Sequence, residues 1–139
     1  MKKHRLRSIL TFLMKILTKT EYIGLENVPA EGGVLLAINH MSRMDIPVLF
    51  LIPTRKDMTA LVTTKYLKYP LLRWFIITAE AIWLDRDTAD FGAFRKAVDA
   101  LNSGLAVGIS PEGTRSKTAQ LLEGKPGTAL LALRAGVPI

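Results

Sequence analysis

An α/β fold, with a mixed and largely parallel sheet flanked by helices, is what this sequence predicts, and three observations carry the prediction. The runs 34–38 and 105–109 are apolar without polar alternation, the pattern of strands covered on both faces, and 58–63 reads as a further core strand. Between such runs stand stretches whose apolar residues recur on one side of a helix, with Phe91, Phe94, Ala97, Val98 and Leu101 as the clearest case. The 139 residues, 49% hydrophobic and 22% charged, suit one folded unit with one core and exclude a disordered or fibrous chain. With no cysteine there is no disulfide framework and no thiolate nucleophile, and two histidines, His4 and His40, make no metal-ligand cluster.

The first element falls in residues 1–20. Lys2, Lys3, Arg5, Arg7, Lys15 and Lys19 stand there without one Asp or Glu, so this arm holds nearly all of the net charge of +7. Between the charges Leu6, Ile9, Leu10, Phe12, Leu13, Met14, Ile16 and Leu17 recur at helical spacing and spread round the axis. A helix from Leu6 to Thr18 is roughly 20 Å long, short of the roughly 30 Å hydrocarbon core, and Lys15 interrupts it. The expectation is a basic amphipathic helix that lies in a membrane interface, the alternative being a helix packed on the body. Lys15 and the lack of a small-residue cleavage site before Glu21 argue against a secretory leader.

Residues 21–139 make the second unit. A short strand is expected at 22–25, a turn at 29–33, and a buried strand at 34–38 that ends on Asn39 and His40. Asp45 precedes a short helix at 46–51, with Pro47 tolerated in its first turn. A strand follows at 58–63, then a helix at 65–75 with a break near Pro70, and a strand at 80–84. The helix at 88–101 closes on Ser103-Gly104. The strand at 105–109 runs into Ser110-Pro111-Glu112-Gly113, the helix at 126–135 stops at Gly136, and 137–139 begins a strand.

In open α/β sheets ligands sit beyond the carboxyl ends of strands, and three polar clusters stand there: Asn39-His40 with Asp45, Asp85-Arg86, and Glu112 to Ser116. Four residues between His40 and Asp45 suffice to turn from a strand into a helix and bring the carboxylate beside the imidazole, a general-base arrangement. The same Asp45 could instead cap the helix and leave His40 on a surface loop. Arg86 and Arg115 carry guanidinium forks suited to phosphate, although Asp85, Asp87 and Glu112 offer them local ion pairs. Gly113 allows close backbone approach to a ligand. Gly124-Lys125 has the ending of a nucleotide-binding loop, but Ala119 replaces its first glycine and Pro126 its hydroxyl, so no nucleotide site is supported.

Taken together these clusters resemble the glycerophospholipid acyltransferases, above all the 1-acyl-sn-glycerol-3-phosphate (lysophosphatidate) type. Asn39, His40 and Asp45 match the family's first block, and Ala81-Ile82-Trp83-Leu84-Asp85-Arg86 its second. Pro111-Glu112-Gly113-Thr114-Arg115-Ser116 is its complete third block, and Val137-Pro138-Ile139 its fourth. Two positions depart from the pattern: Glu80 where a glycine is usual and Ser110 where an aromatic residue is usual.

The resemblance implies transfer of a fatty acyl group from acyl-CoA or acyl carrier protein to the sn-2 hydroxyl of lysophosphatidate, with these thioesters as substrates and no cofactor or metal. It implies His40 and Asp45 as the catalytic pair, and Arg86, Glu112, Gly113, Thr114 and Arg115 as acceptor-binding residues. The basic arm adds an anionic membrane surface as partner and the cytoplasmic face as location, peripheral or monotopic. Alternatives are an acyltransferase acting on another lysolipid or on glycerol 3-phosphate, and an inactive membrane-binding module. Nucleic acid is disfavoured, because the surplus charge is confined to an apolar helix. The family's domain continues past the fourth block, so 21–139 is expected to lack its C-terminal part.

Overall fold

The computed structural model describes residues 2–118 and 120–139. Met1 and Ala119, the residue in the place of the nucleotide loop's first glycine, lie outside the described residues. Four strands, β1 (Val34–Ala37), β2 (Met58–Thr63), β3 (Ile82–Leu84) and β4 (Ala106–Ile109), form one sheet in the order β1-β4-β2-β3. Every pair is parallel, so the sheet is parallel throughout rather than mixed. The reason lies in the connections: β1, β2 and β3 are each followed by a helical crossover that returns the chain to the same end of the sheet.

Helices cover both faces. α1 (Lys3–Leu17), α2 (Asp45–Phe50) and α3 (Pro70–Thr78) lie on one side; α4 (Phe91–Asn102) and α5 (Gly127–Ala135) lie on the other. Alternate residues of a strand feed opposite cores. Val34 and Ala106 pack with Leu6, Phe50 and Met58, whereas Leu35 and Val107 pack with Ala97, Leu101 and Leu131. Gly108 makes the approach of α2 possible, because a Cβ there would stand 2.7 Å from Leu49 Cδ2.

At the amino ends of the strands sits Arg55, fully buried. Its guanidinium donates to both oxygens of Asp57 at 2.9 and 2.8 Å, and to the carbonyls of Pro29, Gly32 and Gly104 at 2.8–3.0 Å. The side chain therefore joins the turns that lead into β1, β2 and β4.

Several expectations shift. Residues 22–25 form no strand: Gly24 takes φ 79°, Leu25–Asn27 form one 3-10 turn, and Tyr22 packs on the core with its hydroxyl donating to the Val48 carbonyl at 3.3 Å. The helix expected at 65–75 divides into a 3-10 segment, Thr64–Lys68, and α3, which begins at Pro70 as a first-turn proline should. Phe91 opens α4 but is 80% exposed, outside the buried stripe. Residues 137–139 are not a regular strand, although the Leu35 amide donates to the Pro138 carbonyl at 3.0 Å along the free edge of β1.

α1 is docked on the body rather than held away from it. Leu6 is buried in the core and Leu10 and Met14 pack against it. Arg7 donates to the carbonyls of Phe50 and Ile52 and lies over the Phe50 ring, while Lys3 pairs with Glu80 at 3.2 Å. The opposite flank leaves Ile9, Phe12, Leu13 and Ile16 exposed. No helix among the described residues is long and apolar enough to cross a membrane.

Candidate active site

β1 and β4 are neighbours, so the loops that leave their carboxyl ends meet. The Ser116 amide donates to the His40 carbonyl at 2.8 Å, tying the loop after β4 to the loop after β1. Glu112, buried at 7% exposure, lies between them: its carboxylate accepts long bonds of 3.4 Å from the amides of His40 and Leu122. It braces backbone, not an arginine.

His40 is 9% exposed, and its Nδ1 stands 2.9 Å from Asp45 Oδ2. The same oxygen accepts from the amides of Met41 at 2.8 Å and Ser42 at 2.7 Å. Asp45 is thus not the cap of α2, which begins after Met44 without a side-chain cap. It is the centre of a tight loop that includes the imidazole. Burial by itself raises the Asp45 pKa, but the bonds from His40, Ser42 and Met41 outweigh it and hold the carboxyl below its ordinary value. An ionised carboxylate only accepts, so the proton belongs on Nδ1 and the lone pair on Nε2 is left free.

The second and third clusters also converge. Arg86, just beyond β3, donates from Nη1 to the Gly113 carbonyl and is half-buried, which pulls its pKa below the usual arginine value without discharging it. Gly113 itself needs no Cβ on two counts. Its φ is 67°, and a Cβ would meet the Lys125 side chain at 3.2–3.5 Å. Thr114 and Arg115 are exposed, and Arg115 makes no ion pair among the described residues. His40, Asp45, Glu112, Gly113 and Arg86 therefore form one connected assembly, with Thr114 and Arg115 on its rim. No group of three or more potential metal ligands occurs among the described residues.

Sequence spacing gives no hint of two further neighbours. Lys125 lies across Gly113, its amide donating to the Pro111 carbonyl at 2.8 Å. The Ser110 hydroxyl, at the end of β4, is buried without a hydrogen-bond partner. Both are visible as residues in the sequence, but the return of Lys125 to Pro111 and Gly113 is a contact between residues far apart along the chain.

Glu80 explains one departure from the family pattern. Its φ is 59°, the left-handed region that favours glycine, and its carbonyl accepts from the Thr59 hydroxyl at 2.8 Å.

Comparison with known proteins bears on the family of the chain. The family profile described as Acyltransferase matches residues 19–139. The 1-acyl-sn-glycerol-3-phosphate acyltransferase of Borreliella burgdorferi is 29% identical over 118 residues, covering 84% of this chain and 47% of that protein. The protein of the same name from Pseudomonas aeruginosa is 29% identical over 122 residues, covering 86% of this chain and 46% of its own length. This chain thus spans just under half the length of these two relatives. The crystal structure of the 1-acyl-sn-glycerophosphate (LPA) acyltransferase PlsC from Thermotoga maritima aligns with a TM-score of 0.74 and 25% identity, over 97% of this chain and 54% of that one.

Proposed function

The chain belongs to the acyltransferase family, and from that premise we propose that it transfers a fatty acyl group from a thioester, acyl-CoA or acyl carrier protein, to the sn-2 hydroxyl of lysophosphatidate, making phosphatidate. The observation that carries the chemistry is the His40–Asp45 contact of 2.9 Å, with the carboxylate fixed by two backbone amides. The acceptor is taken from the names of the relatives, and the exposed guanidinium of Arg115 suits its phosphate.

In this reading His40 Nε2 removes the proton from the acceptor hydroxyl as its oxygen attacks the thioester carbonyl carbon. Asp45 keeps the ring in the correct tautomer and stabilises the imidazolium that forms. The tetrahedral intermediate collapses with loss of the thiolate, which takes the proton back from His40. No covalent acyl-enzyme and no cofactor is required. Arg115 binds the acceptor phosphate together with Thr114. Arg86 and Glu112 hold the Gly113 loop in place, so their contribution to acceptor binding is largely one of position.

The acceptor and product are lipids, so the reaction belongs at a bilayer surface. Of the six basic residues of the arm, Lys3 and Arg7 are engaged with the body, leaving Lys2, Arg5, Lys15 and Lys19 to face anionic lipid beside Ile9, Phe12 and Ile16. At roughly 1 kcal/mol per basic residue near an anionic surface, four support reversible attachment. We place the protein on the cytoplasmic face, peripheral or monotopic, because a charged thioester donor is met there.

The test is thiol release from an acyl thioester with lysophosphatidate added. His40→Ala should abolish turnover, whereas Arg115→Ala should mainly raise the acceptor KM, by about 10- to 100-fold for a lost charged hydrogen bond. An unchanged kcat in His40→Ala refutes the mechanism, and flotation with vesicles without thiol release identifies an inactive membrane-binding module.

A further inference from the structure

α3 is apolar nearly all round, although one side of it faces solvent. Its core side is Phe75 and Ile76, continued by Ala79 just past its end, packed toward β2 and α2. The side diagonally opposite carries Leu71, Trp74 and Ile77 at i, i+3 and i+6, which are 76%, 46% and 52% exposed. Polar groups on the helix are few. Thr78 folds its hydroxyl back to the Trp74 carbonyl at 2.8 Å, and Arg73 is exposed with no acidic partner among the described residues. A helix apolar on both faces is ordinarily buried on both. Just before it, Leu67 and Tyr69 are also exposed, at 42% and 48%.

The charge carried by this stretch of sequence has one sign. From Met58 to Ala79 the sequence holds Lys65, Lys68 and Arg73 and no Asp or Glu. Lys65 pairs with Asp87 at 3.4 Å, and Lys68 and Arg73 make no ion pair among the described residues. Trp74 and Ile77 border an open cleft shared with the start of α1, where Lys2, His4 and Lys56 stand. The acids of that cleft are already engaged, Asp57 by Arg55 at 2.8 Å and Glu80 by Lys3 at 3.2 Å. An exposed Trp between aliphatic side chains, rimmed by lysine and arginine, has the composition of a segment seated at the boundary of headgroups and acyl chains. At nine residues the helix is roughly 13 Å long, too short to cross a bilayer and suited to lying along one.

We propose that the outward face of α3, Leu71, Trp74 and Ile77, is a second membrane-inserting element that seats in the interface of an anionic phospholipid bilayer. It rests on the reading above that the protein works at such a surface, and extends that contact from the arm to the body. The catalytic unit is thereby held by two helices rather than tethered by one. This restricts its rotation on the membrane.

The test uses the full chain and vesicles of phosphatidylglycerol and phosphatidylcholine, with pure phosphatidylcholine as control. The chain has two tryptophans, Trp74 and Trp83, so the difference between the unaltered protein and Trp74→Phe reports Trp74. On anionic vesicles the Trp74 emission should shift to the blue and be quenched by lipids brominated on their acyl chains. The double substitution Leu71→Glu with Ile77→Glu, at exposed positions, should lower vesicle partitioning about tenfold or more while the circular dichroism is unchanged. Flotation of the unaltered chain with no change in Trp74 and with full binding by the double variant overturns the proposal, leaving the arm as the membrane contact. Absence of flotation by the unaltered chain overturns this proposal and the membrane reading together. A dimer in light scattering that the double variant dissociates, with Trp74 indifferent to lipid, assigns the face to a second copy and overturns it as well.

Discussion

Asp45 has one oxygen that does three things: it receives His40 Nδ1 and two loop amides. Asparagine in its place keeps the size but loses the charge that stabilises an imidazolium and the acceptor-only character that sets the tautomer. Asp45→Asn should therefore lower kcat by about three to four orders of magnitude with the acceptor KM little changed, as measured by steady-state thiol release. A second residue-scale prediction concerns stability. Glu80 occupies a left-handed conformation that costs a non-glycine residue about 1–2 kcal/mol, and its pair with Lys3 is solvent-exposed on the Glu80 side and worth little. Glu80→Gly should accordingly stabilise the fold by about 1 kcal/mol, visible as a rise in the urea midpoint without a change in slope. His40 and Asp45 were legible through the four motif blocks taken together, since their spacing alone fits a helix cap as well. Lys125 was not, because a contact between residues 113 and 125 is set by a loop whose path no local periodicity encodes.

Among the elements, β1, β2 and β4 match their apolar runs closely, since a strand buried on both faces leaves an uninterrupted signature. The short elements were harder. Residues 22–25 have strand composition, but Tyr22 satisfies itself against α2 and the core, so no sheet partner is needed. α3 was displaced toward the C-terminus because Pro70 starts a helix rather than merely interrupting one. The turns that introduce three of the strands depend on Arg55, whose five N–H donors are all used. A lysine has three donors on a point charge and cannot reproduce that fork. Arg55→Lys should cost about 3 kcal/mol or more in urea unfolding, since it leaves buried carbonyls without partners.

For the molecule as a whole, acid is the side on which stability should be lost. Hydrogen bonds from Arg55 hold Asp57 below the ordinary carboxyl value of 3.8, the amides of Asp85 and Ala93 do so for Asp90, and the loop described above does so for Asp45 despite its burial. A carboxyl depressed in the folded state is protonated first in the unfolded chain. Its stabilisation is fully present above the unfolded value and is lost as pH falls through the folded one. The urea midpoint should fall between about pH 5 and pH 2, and Asp57→Asn should make that fall shallower while lowering the plateau near neutrality. A steeper acid fall in the variant contradicts the assignment. The α/β class and the gathering of three polar clusters at the strand ends followed from the alternation of strands and helices, whereas a sheet parallel in every pair replaced the mixed one expected. That α1 is clamped to the body by Arg7 did not, because a guanidinium aimed at two carbonyls looks, in one dimension, like any other basic residue of the arm.

Arg55 and His40 stand at opposite ends of the same sheet, the first where β1, β2 and β4 begin and the second where β1 has ended. The buried arginine that ties the entries of three strands is therefore separate from the loops that carry the candidate site. Exchange of the segments after β1, β3 and β4 for those of other acyltransferases is a change at the free end of the scaffold. Such chimeras should keep the unfolding cooperativity of the parent while acquiring the acceptor preference of the donor, which makes this fold a chassis for retargeting.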